Sequence, residues 1–383
     1  MRVVIFTEAF GLYGAERWTA CIANGLARRG VRVTLARPTT AVEHRMMLDP
    51  TVTLRDFNIF SLPDPFAWIS DRTLAAEILD AEQPDVAIVS GGGVMACIGV
   101  REELLARRIP FISVAHLGGQ PGFDLPCPEP LRKRVAEVLN GAAASVGVSQ
   151  DVIDSLRNDF GLAVDRGLAV LNGRPDEFFA AVDPLRRAAV RQALRIGDDE
   201  VMLLTTARVH PNKGYQFQLE AIELLRTRPV WPRLRFVWAG GTEAERRLQA
   251  VVAARKLGDS VQLLGHREDV LELLGAADIF VLPSRQEGAP LAIVEAMARG
   301  LATITTPVNG IPELVGQCAV MVADPNINAV ATARELAIQI EALAGDPARR
   351  ADLGRAAHER ASNLWREDRM IDEYQRLLES CVR

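Results

Sequence analysis

Residues 279–298 read Ile279-Phe280-Val281-Leu282-Pro283-Ser284-Arg285-Gln286-Glu287-Gly288-Ala289-Pro290-Leu291-Ala292-Ile293-Val294-Glu295-Ala296-Met297-Ala298. The run 279–282 is short, apolar and stopped by Pro283, as in a strand covered on both faces. A polar loop follows. Pro290 then stands where a helix begins, a position proline favours because its missing N–H has no partner there in any case. Backbone amides near Leu291 and Ala292 lack partners within such a helix and suit a phosphate. Glu295 lies inside the helix, where its carboxylate can accept hydrogen bonds from a diol. A loop glutamate and a helix-surface glutamate with no ligand would give the same pattern.

The strand–loop–helix alternation extends in both directions from this stretch. Strands over 201–205, 234–239 and 261–264, with helices over 215–226, 244–256 and 270–275, precede it, and a strand over 302–305 follows. An earlier cycle sets strands over 3–7, 31–36, 86–90, 111–114, 144–148 and 169–171 against helices over 15–29, 73–81, 100–107, 131–140 and 152–160. Between the two cycles lie the turn-rich Asn172-Gly173-Arg174-Pro175 and a polar helix over 184–195. Such alternation builds mostly parallel, doubly wound sheets. The fold class is therefore α/β, with two such domains, 1–175 and 176–365, and a closing helix over 368–378. Ligands of these sheets lie beyond the carboxyl ends of the strands, so the site is expected at strand-to-helix loops, in the cleft between two sheets.

Composition narrows the function. The 383 residues are 49% hydrophobic and 24% charged, enough for a large core. A net charge of −5 argues against a dedicated nucleic-acid binder, which usually carries a basic face. No run approaches the 18 or so apolar residues of a spanning helix, and Thr7-Glu8 interrupts the opening apolar run too soon for a signal peptide. Cysteines at 21, 97, 127, 318 and 381 show no C-x-x-C spacing. A reducing, cytoplasmic setting fits, and a structural zinc site does not. Arginine and alanine dominate in the manner of a GC-rich, bacterial genome. Lysine occurs only at 133, 213 and 256, so each lysine is the more informative.

The remaining strand-to-helix loops carry chemistry of their own. Thr205-Thr206-Ala207-Arg208-Val209-His210-Pro211-Asn212-Lys213-Gly214 brings two positive charges, Arg208 and Lys213, fit to neutralise a diphosphate; a solvated loop pair is the plainer alternative. Its glycine spacing is not that of a Walker loop. Phe10-Gly11-Leu12-Tyr13-Gly14-Ala15-Glu16 opens the first helix, and Gly14 lets the backbone approach a bulky anion. His116 precedes Gly118-Gly119 at a carboxyl-end loop, where it can bond a sugar hydroxyl or phosphate or serve structure alone. Gly240 in Ala239-Gly240-Gly241-Thr242-Glu243, Arg267 in Gly265-His266-Arg267-Glu268-Asp269, and Gly310 sit at equivalent turns. The five histidines lack the spacing of a metal cluster, and no metal is assigned. Eight residues of helix rise about 12 Å, more than the roughly 5–9.5 Å between paired glycosidase carboxylates. Glu287 and Glu295 are therefore read as serving different parts of one ligand.

Taken in order, the opening glycine loop, Arg208-x-x-x-x-Lys213-Gly214, Ala276-Ala277-Asp278, Pro283-Ser284 and Glu287-x7-Glu295 resemble the family-4 retaining glycosyltransferases over nearly the whole chain. The resemblance implies the GT-B fold of two Rossmann-like domains. It also implies a nucleotide-diphosphate sugar held mainly by the second domain, an acceptor against the first, and a final helix, 366–383, crossing back to the first domain. Carried over by motif, Arg208 and Lys213 bind the diphosphate and assist its departure, and Glu295 holds the ribose hydroxyls. Glu287, with the backbone of Gly288, Ala289, Pro290 and Leu291 and the adjoining Ala292, holds the sugar and distal phosphate. Gly14 lies beside the diphosphate, His116 contacts the donor sugar, and the 265–267 loop with Arg267 lines the base pocket alongside Gly240. The implied activity is metal-independent hexosyl transfer, of glucose or N-acetylglucosamine type, from a UDP-sugar to a saccharide, lipid-linked or small-molecule hydroxyl, with retention by front-face attack.

The stretch 117–129 matches no acceptor pattern. Arg132-Lys133-Arg134 suits an anionic membrane surface or plain solvation. Three other readings share the fold: a sugar-nucleotide 2-epimerase, a pseudo-glycosyltransferase joining cyclitols through nitrogen, and a non-catalytic nucleotide-sugar-binding scaffold. Intact Glu287 and Glu295 argue against the first. The presence of Arg208, Lys213 and Glu287 argues against the last.

Overall fold

The computed structural model describes residues 1–8, 14–38, 47–57, 72–119, 129–242 and 244–382, and the chain divides into two compact units, Met1–Gly173 with Glu367–Arg383, and Arg174–Arg366. In the first unit, β1 (Arg2–Thr7), β2 (Arg32–Pro38), β3 (Thr53–Phe57), β4 (Val86–Gly91), β5 (Phe111–Ala115), β6 (Ala144–Gly147) and β7 (Gly167–Ala169) form one sheet in the order β3-β2-β1-β4-β5-β6-β7. All of these strand pairs are parallel. In the second unit, β8 (Val201–Thr206), β9 (Leu234–Ala239), β10 (Val261–Leu263), β11 (Ile279–Leu282), β12 (Ala302–Thr305) and β13 (Val320–Met321) follow the order β10-β9-β8-β11-β12-β13, again all parallel. Both units are thus doubly wound, with the strand order reversing between β1 and β4 and between β8 and β11. Parallel strands put every carboxyl end on one edge. The loops after β9, β8, β11 and β12 are therefore consecutive neighbours along that edge.

The central strands are covered on both faces, which is why they read as unbroken apolar runs. The helix Glu367–Cys381 turns Met370, Ile371, Tyr374 and Leu378 into the core that contains Val3 and Ile5 of β1 and Trp18 and Ile22 of the helix Gly14–Arg28. That spacing is one helical face. At the opposite end of the second sheet, Asp278 accepts hydrogen bonds from Arg187 Nη2 (2.6 Å), Arg191 Nη1 (2.9 Å) and the Met202 N–H (2.8 Å). The aspartate of Ala276-Ala277-Asp278 is therefore an anchor for the helix Pro184–Ala193, on the edge away from the loops.

The structure departs from the sequence reading at several elements. Strand β3 is an additional edge strand whose Arg55 and Asp56 interrupt any apolar run. The closing strand of the first sheet spans Gly167–Ala169 and not 169–171. Two long helical stretches, Pro325–Gly345 with a non-helical break at Asn328 and Pro347–Leu364, occupy a region where the sequence reading places no element. Cys97, Cys318 and Cys381 are free thiols, and Cys127 lies outside the described residues.

Candidate active site

The loop after β8 is built to deliver Lys213. Thr205 Oγ1 donates to the Val281 carbonyl (2.6 Å) and Tyr215 Oη to the Ala207 carbonyl (2.6 Å), tying both ends of the loop to the sheet edge. The tip turns through the short 3-10 helix Pro211–Lys213, and the His210 side chain accepts from the Asn212 N–H. Gly214 then takes a left-handed φ of +76°, and a Cβ there would lie 2.0 Å from the Pro283 carbonyl oxygen. Glycine is thus required where this loop crosses the end of β11. The Arg285 N–H closes the contact by donating to the Asn212 carbonyl (2.8 Å).

That crossing sets Lys213 Nζ 2.6 Å from Glu287 Oε1. The same carboxylate oxygen accepts from Ser284 Oγ at 2.7 Å, and the Glu287 N–H donates to Asn309 Oδ1 at 3.4 Å. Glu287 is buried and Lys213 half-buried. Arg208 is exposed earlier in the loop. Burial first, then the positive charges of Arg208 and Lys213, hold the His210 imidazole below its usual range, so both cations act on one small region.

The helix Leu291–Ala298 starts directly after this loop. Pro290 is its N-cap and not its first residue; with φ −66° and ψ 115° it makes no side-chain cap. Leu291 and Ala292 are half-buried, so their amides stand at an uncapped helix start beside Lys213 and Glu287. One turn further, buried Glu295 is paired with Arg174, Nη2 to Oε1 at 2.7 Å. The two glutamates thus have separate partners.

Gly240, after β9, has φ +149°, and a Cβ there would lie 1.9 Å from the Ala207 carbonyl oxygen. Its N–H donates to the Gly265 carbonyl at 2.7 Å, joining three of the loops. Arg267 forms a bidentate pair with Asp269 (2.7 and 2.6 Å), and hydrogen bonds from Arg267 hold that carboxyl below its usual range. Its charge is therefore already matched.

Gly14 and His116 belong to the first unit. Gly14 opens the helix Gly14–Arg28, while residues 10–13 of its motif lie outside the described residues. His116 follows β5, with Nε2 3.0 Å from Ser90 Oγ at the end of β4 and its ring edge-to-face with Trp18, centroids 4.9 Å apart. Burial pushes the imidazole down to about 4, so it is neutral near pH 7. Glu8, directly after β1, is a group the sequence reading missed. Its carboxyl is pushed up to about 7 by burial, opposed by Arg101 and the Cys97 backbone, and Oε2 has no partner among the described residues. Arg174, Ser284 and Asn309 were also missed. Arg174 looked like part of a turn, Ser284 entered only as half of the Pro283-Ser284 match with no role of its own, and the Asn309-Gly310 pair read only as a turn.

Among the described residues, no group of three His, Cys, Asp or Glu could hold a metal ion. Of the basic cluster, Arg134 is bound to Glu102 (2.7 and 2.9 Å) and Lys133 lies 4.0 Å from Glu129. No described helix is long and apolar enough to cross a membrane.

The sequence matches the model of glycosyl transferases group 1 over residues 200–339 and that of glycosyltransferase family 4 over residues 13–177. It is 30% identical over 244 residues to the D-inositol 3-phosphate glycosyltransferase of Pseudarthrobacter chlorophenolicus, covering 62% of this chain and 56% of that protein. The chain thus spans about half the length of that relative. Among solved structures, Anabaena HepE in complex with UDP superposes with a TM-score of 0.82 at 18% identity, covering 99% of this chain and 100% of that one. A glycosyltransferase from Rickettsia africae does so with a TM-score of 0.81 at 19% identity, covering 100% and 99%. The chain belongs to the family-4 glycosyltransferases of the GT-B fold.

Proposed function

We propose that the protein is a retaining glycosyltransferase that moves a hexosyl unit from a UDP-sugar to a hydroxyl of a saccharide, lipid-linked or small-molecule acceptor in the cytoplasm. The observation that carries this reading is the Lys213–Glu287 pair at 2.6 Å beside an uncapped helix start. A diphosphate needs compensating positive charge, and Lys213, Arg208 and the Leu291 and Ala292 amides supply it at adjoining loops. Those groups stabilise the departing diphosphate where its charge develops. The complexes of Anabaena HepE with UDP and with UDP-glucose support a uridine diphosphate donor.

The geometry also bears on the stereochemical course. Glu287 Oε1 is already the acceptor for Lys213 and Ser284. Those two donors draw charge from the carboxylate and lower its basicity and nucleophilicity, and the reading takes Glu287 as a stabiliser of positive charge on the sugar. The bond from the anomeric carbon to the phosphate oxygen breaks, and the bond to the acceptor oxygen forms on the same face. The acceptor proton passes to an oxygen of the leaving diphosphate. Glu295 holds the ribose hydroxyls, and Gly14 and His116 carry over from the family as donor contacts. The positive groups do this without a divalent cation.

The test is turnover of UDP-glucose and UDP-N-acetylglucosamine in EDTA against a panel of saccharide and lipid-linked acceptors, with the product's anomeric configuration read by NMR. An α-linked product supports the proposal. A β-linked product, or strict dependence on a divalent cation, overturns its mechanism.

A further inference from the structure

We propose that Arg174 is a positioning residue for the nucleotide's ribose, acting through Glu295; this rests on the assignment of Glu295 to the ribose made above. The Arg174 and Glu295 side chains are only 7% and 9% exposed, and they meet at 2.7 Å. The guanidinium carbon stands 4.5 Å from the centroid of the Phe178 ring. The Arg174 backbone is fixed too, its N–H donating to the Trp365 carbonyl at 2.7 Å beside a parallel bridge to Arg366. A planar group held by a ring below, an ion pair ahead and a fixed backbone behind has one place to be.

Two consequences follow for Glu295. One of its two oxygens is engaged by the Arg174 guanidinium at 2.7 Å, which restricts the carboxylate's rotation and leaves its other oxygen for the ribose. Its negative charge is matched, so it does not oppose a diphosphate arriving at the start of the same helix.

Calorimetric titration with UDP, 2′,3′-dideoxy-UDP and inorganic pyrophosphate separates these roles. The wild-type protein is expected to prefer UDP over the dideoxy compound by roughly tenfold or more, the scale of a charge-assisted hydrogen bond. Arg174→Met should bring that ratio to within about twofold of unity, as Glu295→Gln should, with pyrophosphate binding unchanged. Arg174→Lys, which keeps a charge beside Glu295 and so protects folding, should lower the ratio at least threefold while retaining part of it. Wild-type discrimination in both folded Arg174 variants, with loss only in Glu295→Gln, overturns the role of Arg174 and leaves the ribose assignment standing. The same holds if Arg174→Met does not fold and Arg174→Lys keeps the full ratio. Loss of pyrophosphate binding in step with UDP overturns the role as well, because it reports general disruption. No discrimination in the wild-type protein overturns the ribose assignment and this inference together.

Discussion

Removing the Glu287 charge should tighten UDP binding while slowing transfer. Lys213 Nζ lies 2.6 Å from Glu287 Oε1, with the two side chains 20% and 7% exposed. A phosphate charge settling beside Lys213 sits roughly 6 Å from that carboxylate, where like charges repel by about 3 kcal/mol at an effective dielectric of 20. Lys213 is partly open to water, which reduces the net effect to about 1–2 kcal/mol, or roughly 5- to 30-fold in affinity. Glu287→Gln keeps an oxygen for both Lys213 and Ser284, so folding should survive. Its UDP dissociation constant should fall by about tenfold and its turnover by roughly 100-fold, the scale of losing one stabiliser of developing charge. Lys213→Ala acts oppositely, removing a charge-assisted contact of about 1.5–3 kcal/mol and leaving Glu287 to repel the ligand. The double variant should bind UDP better than Lys213→Ala alone. Calorimetry at low and high salt reads all three proteins, and the differences should shrink as salt rises. A Glu287→Gln protein that binds UDP tenfold more weakly, or a folded Lys213→Ala protein that binds it normally, refutes this electrostatic reasoning.

Other predictions concern the scaffold and pH. Gly240→Ala places a Cβ 1.9 Å from the Ala207 oxygen at φ +149°, which should cost at least about 2 kcal/mol in urea unfolding; Gly258→Ala, with open space around it, should be nearly neutral. Asp278→Ala leaves the buried Arg191 without its 2.9 Å counter-ion. It should destabilise by about 3 kcal/mol while UDP affinity of the folded fraction holds. His116, with a folded value of about 4 below its ordinary 6.5, takes stability away as pH falls from 6.5 to 4. Glu8, raised from 4.5 to about 7, takes it away as pH rises through that interval. The two slopes oppose each other. Glu8→Gln should therefore gain stability with rising pH between 4 and 6.5, and His116→Gln should lose it between 4.5 and 7, both read by denaturant midpoints.

The strands that decide the fold were legible because burial on both faces forces them to be apolar throughout. The same uniformity hid the exact span of β7, since Gly167-Leu168-Ala169-Val170-Leu171 has no alternation to set where pairing stops. Strand β3 escaped because an edge strand tolerates Arg55 and Asp56. The helices after residue 324 were legible and passed over. Asp324-Pro325 and Asp346-Pro347 repeat the aspartate cap and first-turn proline of Asp183-Pro184, and all three aspartates accept from a backbone N–H in the first turn. Within the site, Lys213 and Glu287 each stood out by residue type. Their pairing across 74 residues depends on β8 lying beside β11, which no local pattern states. Arg174 was invisible for a similar reason. In Asn172-Gly173-Arg174-Pro175 it looks like a turn residue, and only the fold brings it to Glu295.

UDP binding in EDTA, followed by thermal stability in the wild-type, Glu287→Gln and Lys213→Ala proteins, tests the central claim most directly. A ligand that binds only the folded state raises its stability by RT ln(1 + [L]/Kd). The account predicts a clear metal-independent shift with UDP in the wild-type protein, a larger one in Glu287→Gln, and little or none in Lys213→Ala. Equal shifts in all three proteins, or none in the wild-type protein at millimolar UDP, would contradict it.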